Sequence, residues 1–100
     1  MAKSLGIFVS SDKHIEKIIK ICGAAKKRGI ELSLFFTHEG VRLTQDPRFV
    51  ELAGLKMSVC KVGFDANSLR PPVPGISDKD YATQAMHAEM VGECDRYLVF

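Results

Sequence analysis

Four short runs of apolar residues recur along the chain, and their continuity constrains the fold more than any other feature. They are Leu5–Val9, Leu32–Phe36, Met57–Val62 and Tyr97–Phe100. None alternates cleanly between apolar and polar side chains, as a strand with one face in water would. Nearly continuous apolar strands are typical of a parallel sheet whose two faces are both covered by helices. The runs therefore predict four buried, parallel strands.

Helical patterns lie between these strands. The first predicted helix follows the candidate cap residues Ser11 and Asp12 and ends at Gly29. Its apolar residues recur at helical spacing and are Ile15, Ile18, Ile19, Cys22 and Ala25. The second predicted helix opens with Asp46-Pro47, a cap residue followed by proline, and ends at Gly54. The third follows Ser77 and has an inner face of Tyr81, Ala85, Met86 and Met90 or Val91.

The resulting element order, β-α-β-α-β-loop-α-β, predicts an α/β fold with right-handed crossovers and a parallel sheet of about four strands. One hundred residues suffice for one hydrophobic core, and no repeat or linker divides the chain. Residues 1–100 are therefore predicted to form a single domain. The longest irregular stretch, Phe64–Ile76, is interpreted either as a loop that covers a site or as a surface loop stiffened by its prolines.

Composition narrows the range of partners. The formal net charge of +2 is too small to indicate a nucleic-acid or membrane partner. The basic run Lys26–Arg28 is expected to complement the dipole at the end of the first helix. The N-terminal apolar stretch is too short for a signal peptide or a membrane span. Three cysteines without a CxxC pair do not form a disulfide framework, so a cytoplasmic location is expected.

Candidate site residues follow the first three strands. In open parallel sheets, ligands bind beyond the carboxyl ends of the strands, near the point where the strand order reverses. The residues at those ends are Ser10, Ser11, Thr37, His38, Glu39, Cys60 and Lys61. A strand order of 2-1-3-4 would place Cys60 opposite Ser10 and Ser11. His38 would then lie two strand spacings from Cys60, roughly 10 Å at the backbone, unless side chains converge or a neighbouring subunit intervenes.

The three cysteines differ in position. Cys22 lies on the apolar stripe of the first helix and Cys94 precedes the last strand, so both are predicted to be structural. Cys60 alone lies at the edge of the sheet where ligands bind, and its sulfur is expected to emerge at that rim. The start of a helical turn, beside Lys61, favours the thiolate, which is the form that attacks or carries sulfur. Simple burial is the alternative for Cys60.

Other chemistries lack their motifs. There is no CxxC pair for a thioredoxin-like site, and the first arginine after Cys60 is Arg70, too distant for a cysteine phosphatase loop. No glycine-rich phosphate or dinucleotide motif follows the first strand. The third strand ends in a cysteine and not in the aspartate of a phospho-receiver. His14, His38 and His87 show no zinc-ligand spacing with the cysteines, so no metal or cofactor is predicted.

Three segments of the chain resemble one protein family. LFFTHEGVRL, from Leu34 to Leu43, resembles the second-strand signature of DsrE-like proteins, the group that includes the TusD-type sulfur-relay subunits. The matching residues are Phe36, Thr37, Gly40 and Val41. MSVCKVGFDANSLR resembles the stretch in which the family places a cysteine after the third strand, and CDRYLVF is similar to its closing strand.

This resemblance implies a flavodoxin-like three-layer sandwich, with a sheet of four to five strands, that assembles into dimers, trimers or hexamers. It also implies a sulfurtransferase-type relay in which Cys60 accepts a persulfide sulfur from a donor protein and passes it to an acceptor protein. His38 is a candidate proton partner across a subunit boundary. The chain departs from the family at Gly63 and Phe64, where many relatives have a serine-containing helical turn, and at Pro71–Pro74, which replaces their usual arginine-glycine exit.

A second hypothesis comes from a different functional class. The same cleft would bind a small ligand or a protein in a non-catalytic, oligomeric module. In that case Cys60 is a packing residue, and Met57, Met86 and Met90 belong to subunit contacts. An independent oxidoreductase is the least favoured hypothesis, because the sequence contains no cofactor motif.

Overall fold

The computed structural model describes residues 3–52, 54–69, 73, 76, 80–82 and 92–100. Within these residues there are five strands: β1 (Ser4–Val9), β2 (Glu31–Phe36), β3 (Lys56–Cys60), β4 (Tyr81–Ala82) and β5 (Arg96–Val99). They form one sheet in the order β4-β3-β2-β1-β5, and every neighbouring pair is parallel. The α/β class and the parallel sheet of four to five strands are therefore confirmed.

Helical segments connect the strands. Helix α1 (Ile15–Lys27) links β1 to β2, and helix α2 (Lys61–Ala66) follows β3 directly. A first 3₁₀ helix (His38–Gln45) and a second 3₁₀ helix (Pro47–Leu52) lie between β2 and β3. The first and second predicted helices are thus confirmed in place, although the second is a 3₁₀ helix and the segment before it was not predicted to be helical.

The start of α1 differs in detail from the prediction. His14 is its N-cap and makes no side-chain capping bond, so neither Ser11 nor Asp12 caps the helix. The end agrees with the prediction, because Lys26 and Lys27 occupy the last turn, where positive charge complements the helix dipole. Among the described residues, no helix has the length and apolar character needed to cross a membrane.

The third predicted helix is wrong at Tyr81, which lies in β4 and pairs with Val59 of β3. An unpaired edge of β3 offers backbone hydrogen-bonding groups, and a two-residue strand is too short to be distinguished by side-chain periodicity. The remaining residues of that prediction lie outside the described part of the chain, as do other residues named from the sequence. They are Arg70, Pro71, Pro72, Pro74, Ser77, Ala85, Met86, His87, Met90 and Val91.

The strand order corrects the order 2-1-3-4 that was used to place the site. β3 pairs with β2, whereas β5 pairs with β1, so the reversal lies between β1 and β5. Consecutive strands usually lie next to each other, and here the chain steps from β1 through β4 before it crosses to the opposite edge. Cys60 therefore ends the strand beside β2 and does not directly face Ser10 and Ser11.

One face of the sheet packs against α1, α2 and both 3₁₀ helices to form the main core. The strand residues on this face alternate along the sequence, as expected for period two. They are Ile7, Val9, Leu32, Leu34, Phe36, Met57 and Val59. Helix α1 contributes Ile15, Ile18, Cys22 and Ala25. Removal of these apolar side chains from water is the main stabilising term of the fold.

The other face of the sheet carries an aromatic cluster. The ring of Phe8 stacks on Phe35 with centroids 6.2 Å apart and on Tyr97 at 6.3 Å. Phe35 is only 1% exposed and packs with Cys60, whose side chain lies on the same face. The buried Phe35 and Phe36 thus lie on opposite faces of β2, which confirms that this strand is covered on both sides, as its continuous apolar run predicts.

Candidate functional site

A cleft of about 860 Å³ lies at the carboxyl ends of β1, β2 and β3. Six of the seven residues singled out from the sequence line it: Ser10, Thr37, His38, Glu39, Cys60 and Lys61. The remaining lining residues come from α2 and its C-cap: Val62, Gly63, Ala66 and Asn67. The seventh predicted residue, Ser11, does not line the cleft. Its hydroxyl is buried without a hydrogen-bond partner among the described residues.

The loop after β2 closes over the end of β1, and Gly40 makes this close approach possible. A Cβ on Gly40 would overlap the carbonyl oxygen of Val9 and lie 2.7 Å from the Val9 carbonyl carbon. The Thr37 N–H donates to the same oxygen at 2.9 Å, and the Gly40 N–H donates to the Thr37 carbonyl at 2.8 Å. Gly40 therefore brings Thr37 and His38 to the edge of the sheet where Ser10 lies.

Cys60 is the last residue of β3 and the N-cap of α2. Its Sγ accepts a hydrogen bond from the Gly63 N–H at 3.5 Å, which confirms the predicted helical turn after the cysteine. The residue is 5% exposed and packs against Phe35. The thiol thus lies in the wall of the cleft and is largely covered, in contrast to the expectation that it projects from the rim, because the side chain continues the alternation of β3.

His38 follows the neighbouring strand and is much closer to Cys60 than the sequence suggested. A Cβ on Gly63 would lie 3.1 Å from the His38 backbone nitrogen and 3.7 Å from Cys60 Cβ. The predicted gap of two strand spacings is therefore wrong, because β3 lies beside β2 and not beside β1. One chain brings His38 and Cys60 to the same cleft without the help of a neighbouring subunit.

The backbone of His38 adopts a left-handed conformation, with φ of +48°. This region is uncommon for residues other than glycine, although histidine is among the residues found there more often. Such a conformation persists only where the surrounding structure holds it in place, and it recurs at functional sites. In this protein it directs the chain from the end of β2 into the first 3₁₀ helix.

Asn67 was not singled out from the sequence, yet it connects the two sides of the cleft. Its Nδ2 donates to the carbonyl oxygen of His38 at 3.1 Å and to that of Gly63 at 2.8 Å. Its Oδ1 accepts from Arg42 Nε at 2.8 Å. Arg42 in turn lies 3.7 Å from a carboxylate oxygen of Asp12. In the sequence, Asn67 is recognisable only as an asparagine that follows a short helical turn, where asparagine is common as a helix end.

Lys61 contributes little fixed charge to the site. Its Nζ lies 2.9 Å from Asp65, one turn along α2, and both side chains are more than half exposed. An exposed ion pair of this kind is screened by water and is worth only a few tenths of a kcal/mol. The chemistry of the cleft therefore depends mainly on the Cys60 thiol, the His38 imidazole and the backbone amide of Gly63.

The other two cysteines lie away from the cleft, in the positions predicted for structural residues. Burial raises the pKa of the Cys22 thiol to about 11, and nearby Lys26 opposes the shift. Burial also raises the pKa of Cys94, and the negative charge of Glu93 adds to the effect. Both thiols are protonated at neutral pH, and none of the three cysteines forms a disulfide.

The described residues contain no group of three or more His, Cys, Asp or Glu side chains that could hold a metal ion. The cleft is large enough for a small molecule or for the end of a peptide chain, since ligand sites of this kind span about 300–1,000 Å³. Its thiol and imidazole suit nucleophilic exchange at sulfur. No protein-family model, no curated protein and no solved structure matches this chain.

Proposed function

We propose that this protein is a sulfur carrier of the DsrE-like kind, in which Cys60 accepts a sulfane sulfur and passes it to a partner protein. One observation supports this most directly. Cys60 ends β3, caps α2 and lines the same cleft as His38. A parallel α/β sheet with a cysteine after its third strand also fits the sequence resemblance.

In the loading step, the Cys60 thiolate attacks the terminal sulfur of a donor persulfide, R–S–SH. A bond forms between Cys60 Sγ and that sulfur, the bond between the two donor sulfurs breaks, and the donor leaves as the thiolate R–S⁻. In the unloading step, an acceptor thiolate attacks the terminal sulfur and Cys60 leaves as a thiolate. No external oxidant or reductant is required, because the sulfane sulfur passes from one thiol to another.

Two groups in the cleft would assist this exchange. The His38 imidazole accepts the proton of the Cys60 thiol before attack and returns it to the leaving thiolate, as a general base and then a general acid. The Gly63 N–H already donates to Sγ at 3.5 Å, and such a bond strengthens when the sulfur becomes an anion. Both groups belong to the same chain, so the proposal no longer needs a histidine from a neighbouring subunit.

The proposal extends to the assembly of the protein. The domain would be a three-layer, flavodoxin-like sandwich that forms a cytoplasmic homo-oligomer. Strand β5 lies at an edge of the sheet and exposes Leu98 and Val99, which supports a subunit contact at this edge. Light scattering at several protein concentrations tests this part, and a strict monomer at all of them would contradict it.

Mass spectrometry after incubation with a small persulfide donor tests the carrier function. We expect a mass increase of one sulfur atom that dithiothreitol removes, and we expect Cys60→Ser to abolish it. Cys94→Ser is the matched control, because Cys94 lies outside the cleft. Loading that persists in Cys60→Ser would contradict the proposal.

The covered position of Cys60 favours a second candidate, a non-catalytic module that binds a small ligand or a protein. Cys60 is 5% exposed, whereas Val62 at the cleft is 78% exposed and would offer an apolar contact to a partner. The same experiment separates the two functions. A wild-type protein that never acquires sulfur on Cys60 would favour the binding module.

A further inference from the structure

We propose that Asn67 is a positioning residue that latches the two walls of the cleft together and thereby limits access to the Cys60 thiol. One wall is the α2 turn, which begins at Cys60, and the other is the loop that carries His38. The role of this latch in sulfur transfer rests on the proposed function, whereas its effect on thiol access does not.

The hydrogen bonds of Asn67 provide the first argument. Both of its donor bonds use Nδ2, one to the carbonyl of Gly63 on its own turn and one to the carbonyl of His38 on the opposite wall. The Asn67 Oδ1 accepts a hydrogen bond from the Arg42 Nε–H, and this bond fixes the orientation of the amide. The side chain thus joins both walls in one geometry, and neither alanine nor aspartate can reproduce its two donated bonds.

The backbone of the opposite wall provides the second argument. The left-handed conformation of His38 requires support from its surroundings, and Asn67 bonds directly to the carbonyl of that residue. The walls are also in close contact, because a Cβ on Gly63 would lie only 3.1 Å from the His38 nitrogen. Loss of the Asn67 bond would therefore let the His38 loop relax away from α2.

The anchoring of Asn67 provides the third argument. Arg42 belongs to the first 3₁₀ helix and lies within ion-pair distance of Asp12, in the loop after β1. The chain of contacts from Asp12 through Arg42 to Asn67 connects the segments that follow β1, β2 and β3. The latch is therefore held against the rest of the fold and does not move freely with α2.

The latch would account for the low solvent exposure of a thiol that lines a large cleft. Cys60 is 5% exposed although it borders a cleft of about 860 Å³. In the proposed latch, a sulfur donor reaches Sγ when the α2 turn separates from the His38 loop, and the two Asn67 bonds that cross between the walls, to the His38 carbonyl and from Arg42, oppose that local opening. Given the usual net strength of protein hydrogen bonds, loss of both bonds should raise the open population by roughly 5- to 30-fold.

Alkylation by iodoacetamide under native conditions, followed peptide by peptide, measures this opening on the full chain. We expect Asn67→Ala to raise the Cys60 rate by roughly 5- to 30-fold and Asn67→Asp to raise it by roughly 2- to 12-fold. Aspartate keeps the partner for Arg42 but loses the donated bond to the His38 carbonyl, so its effect should be smaller than that of alanine. Arg42→Gln, which leaves Asn67 in place but loosens it, should raise the rate by a smaller factor of about 2 to 5.

Two references separate a latch from a general loss of stability. Cys22 lies in the main core, so its alkylation reports global unfolding, and it should not change in the Asn67 variants. Ser4→Ala removes hydrogen bonds to Glu93 and Asp95 at the opposite end of the strands and should leave the Cys60 rate unchanged.

An unchanged or lower Cys60 rate in both Asn67 variants would overturn the latch. A parallel rise of the Cys22 and Cys60 rates would also overturn it, because Asn67 would then act on the whole fold. Wild-type behaviour of Asn67→Asp would show that the donated bonds do not hold the walls. A latch that passes this test while Cys60 takes up no persulfide would refute only the carrier function.

Discussion

Replacement of Gly40 by alanine tests whether the loop after β2 really closes on the backbone of β1. The added Cβ would overlap the Val9 carbonyl oxygen, which is backbone and cannot move aside as a flexible side chain can. Overpacking of this kind costs about 1–3 kcal/mol. Movement of the loop would also weaken the Thr37 N–H bond to the same oxygen, worth about 1 kcal/mol. We therefore expect a loss of about 2–4 kcal/mol of stability.

Urea denaturation followed by circular dichroism provides the measurement. Domains of this size are usually stable by about 5–15 kcal/mol, so Gly40→Ala should remain folded with a clearly lower midpoint and an unchanged slope. Gly23→Ala is the matched control, because Gly23 is exposed on α1 and an added Cβ would meet nothing within 4 Å. It should stabilise the protein by about 0.5–1 kcal/mol. A Gly40→Ala variant within about 0.5 kcal/mol of the wild type would refute the close approach.

Three further predictions concern stability. The Cys22 thiol has a pKa of about 11 in the folded protein and of 9.0 in the unfolded chain, so the free energy of unfolding should fall as the pH rises from 9 to 11. Cys22→Ala should weaken that fall when urea titrations are repeated across this pH range. Phe64→Ala should cost about 3–5 kcal/mol by the same method, since Phe64 is fully buried, whereas Val62→Ala in the same helix should cost less than about 0.5 kcal/mol. Hydrogen bonds from Arg48 lower the pKa of Asp46 from its ordinary value of 3.8. The stabilising contribution of this pair is therefore present above pH 3.8 and is lost as the pH falls through the lower pKa of the folded state. Arg48→Met should remove this dependence when the free energy of unfolding is measured between pH 2 and 5.

Strands β1, β2 and β3 were predictable because each carries an apolar run with buried residues, whereas β5, predicted as a buried strand, is largely exposed. Leu5–Val9 and Leu32–Phe36 coincide with β1 and β2 except for one residue at the start of each. Placement of Cys60 and His38 after successive strands was also predictable, since it follows from where the apolar runs end. Six of the seven chosen residues consequently line one cleft.

The strand order could not be derived from the same patterns. A strand whose apolar run is buried on both faces fits equally well beside β1 or beside β2. The neighbour of β3 is decided instead by contacts between segments far apart in sequence. This error displaced His38 from Cys60 in the prediction. The choice between burial and exposure of Cys60 stayed open in the sequence for a related reason, because its packing partner Phe35 belongs to the neighbouring strand.

Asn67 shows a further limit of sequence patterns. Its two partners across the cleft and on α2 are backbone carbonyls, which every residue possesses, so no pair of side-chain types marks the interaction. Arg42 is a side-chain partner, but it lies 25 positions away and its ion pair with Asp12 is recognisable only once the loops meet. Side-chain identity alone therefore points to the thiol and the imidazole and misses the amide that bonds to the His38 and Gly63 carbonyls.

The position of β5 beside β1 has a consequence for how the chain folds. β1, β2 and β3 are consecutive and lie side by side, so their pairing closes only short loops. The β1–β5 pair instead joins distant parts of the chain, as the bond between Ser4 and Asp95 shows across 91 positions. Such long-range pairing is slow. During synthesis the first three strands can assemble as soon as they leave the ribosome, while the outer edge of β1 stays unpaired until Arg96–Val99 have also been synthesised.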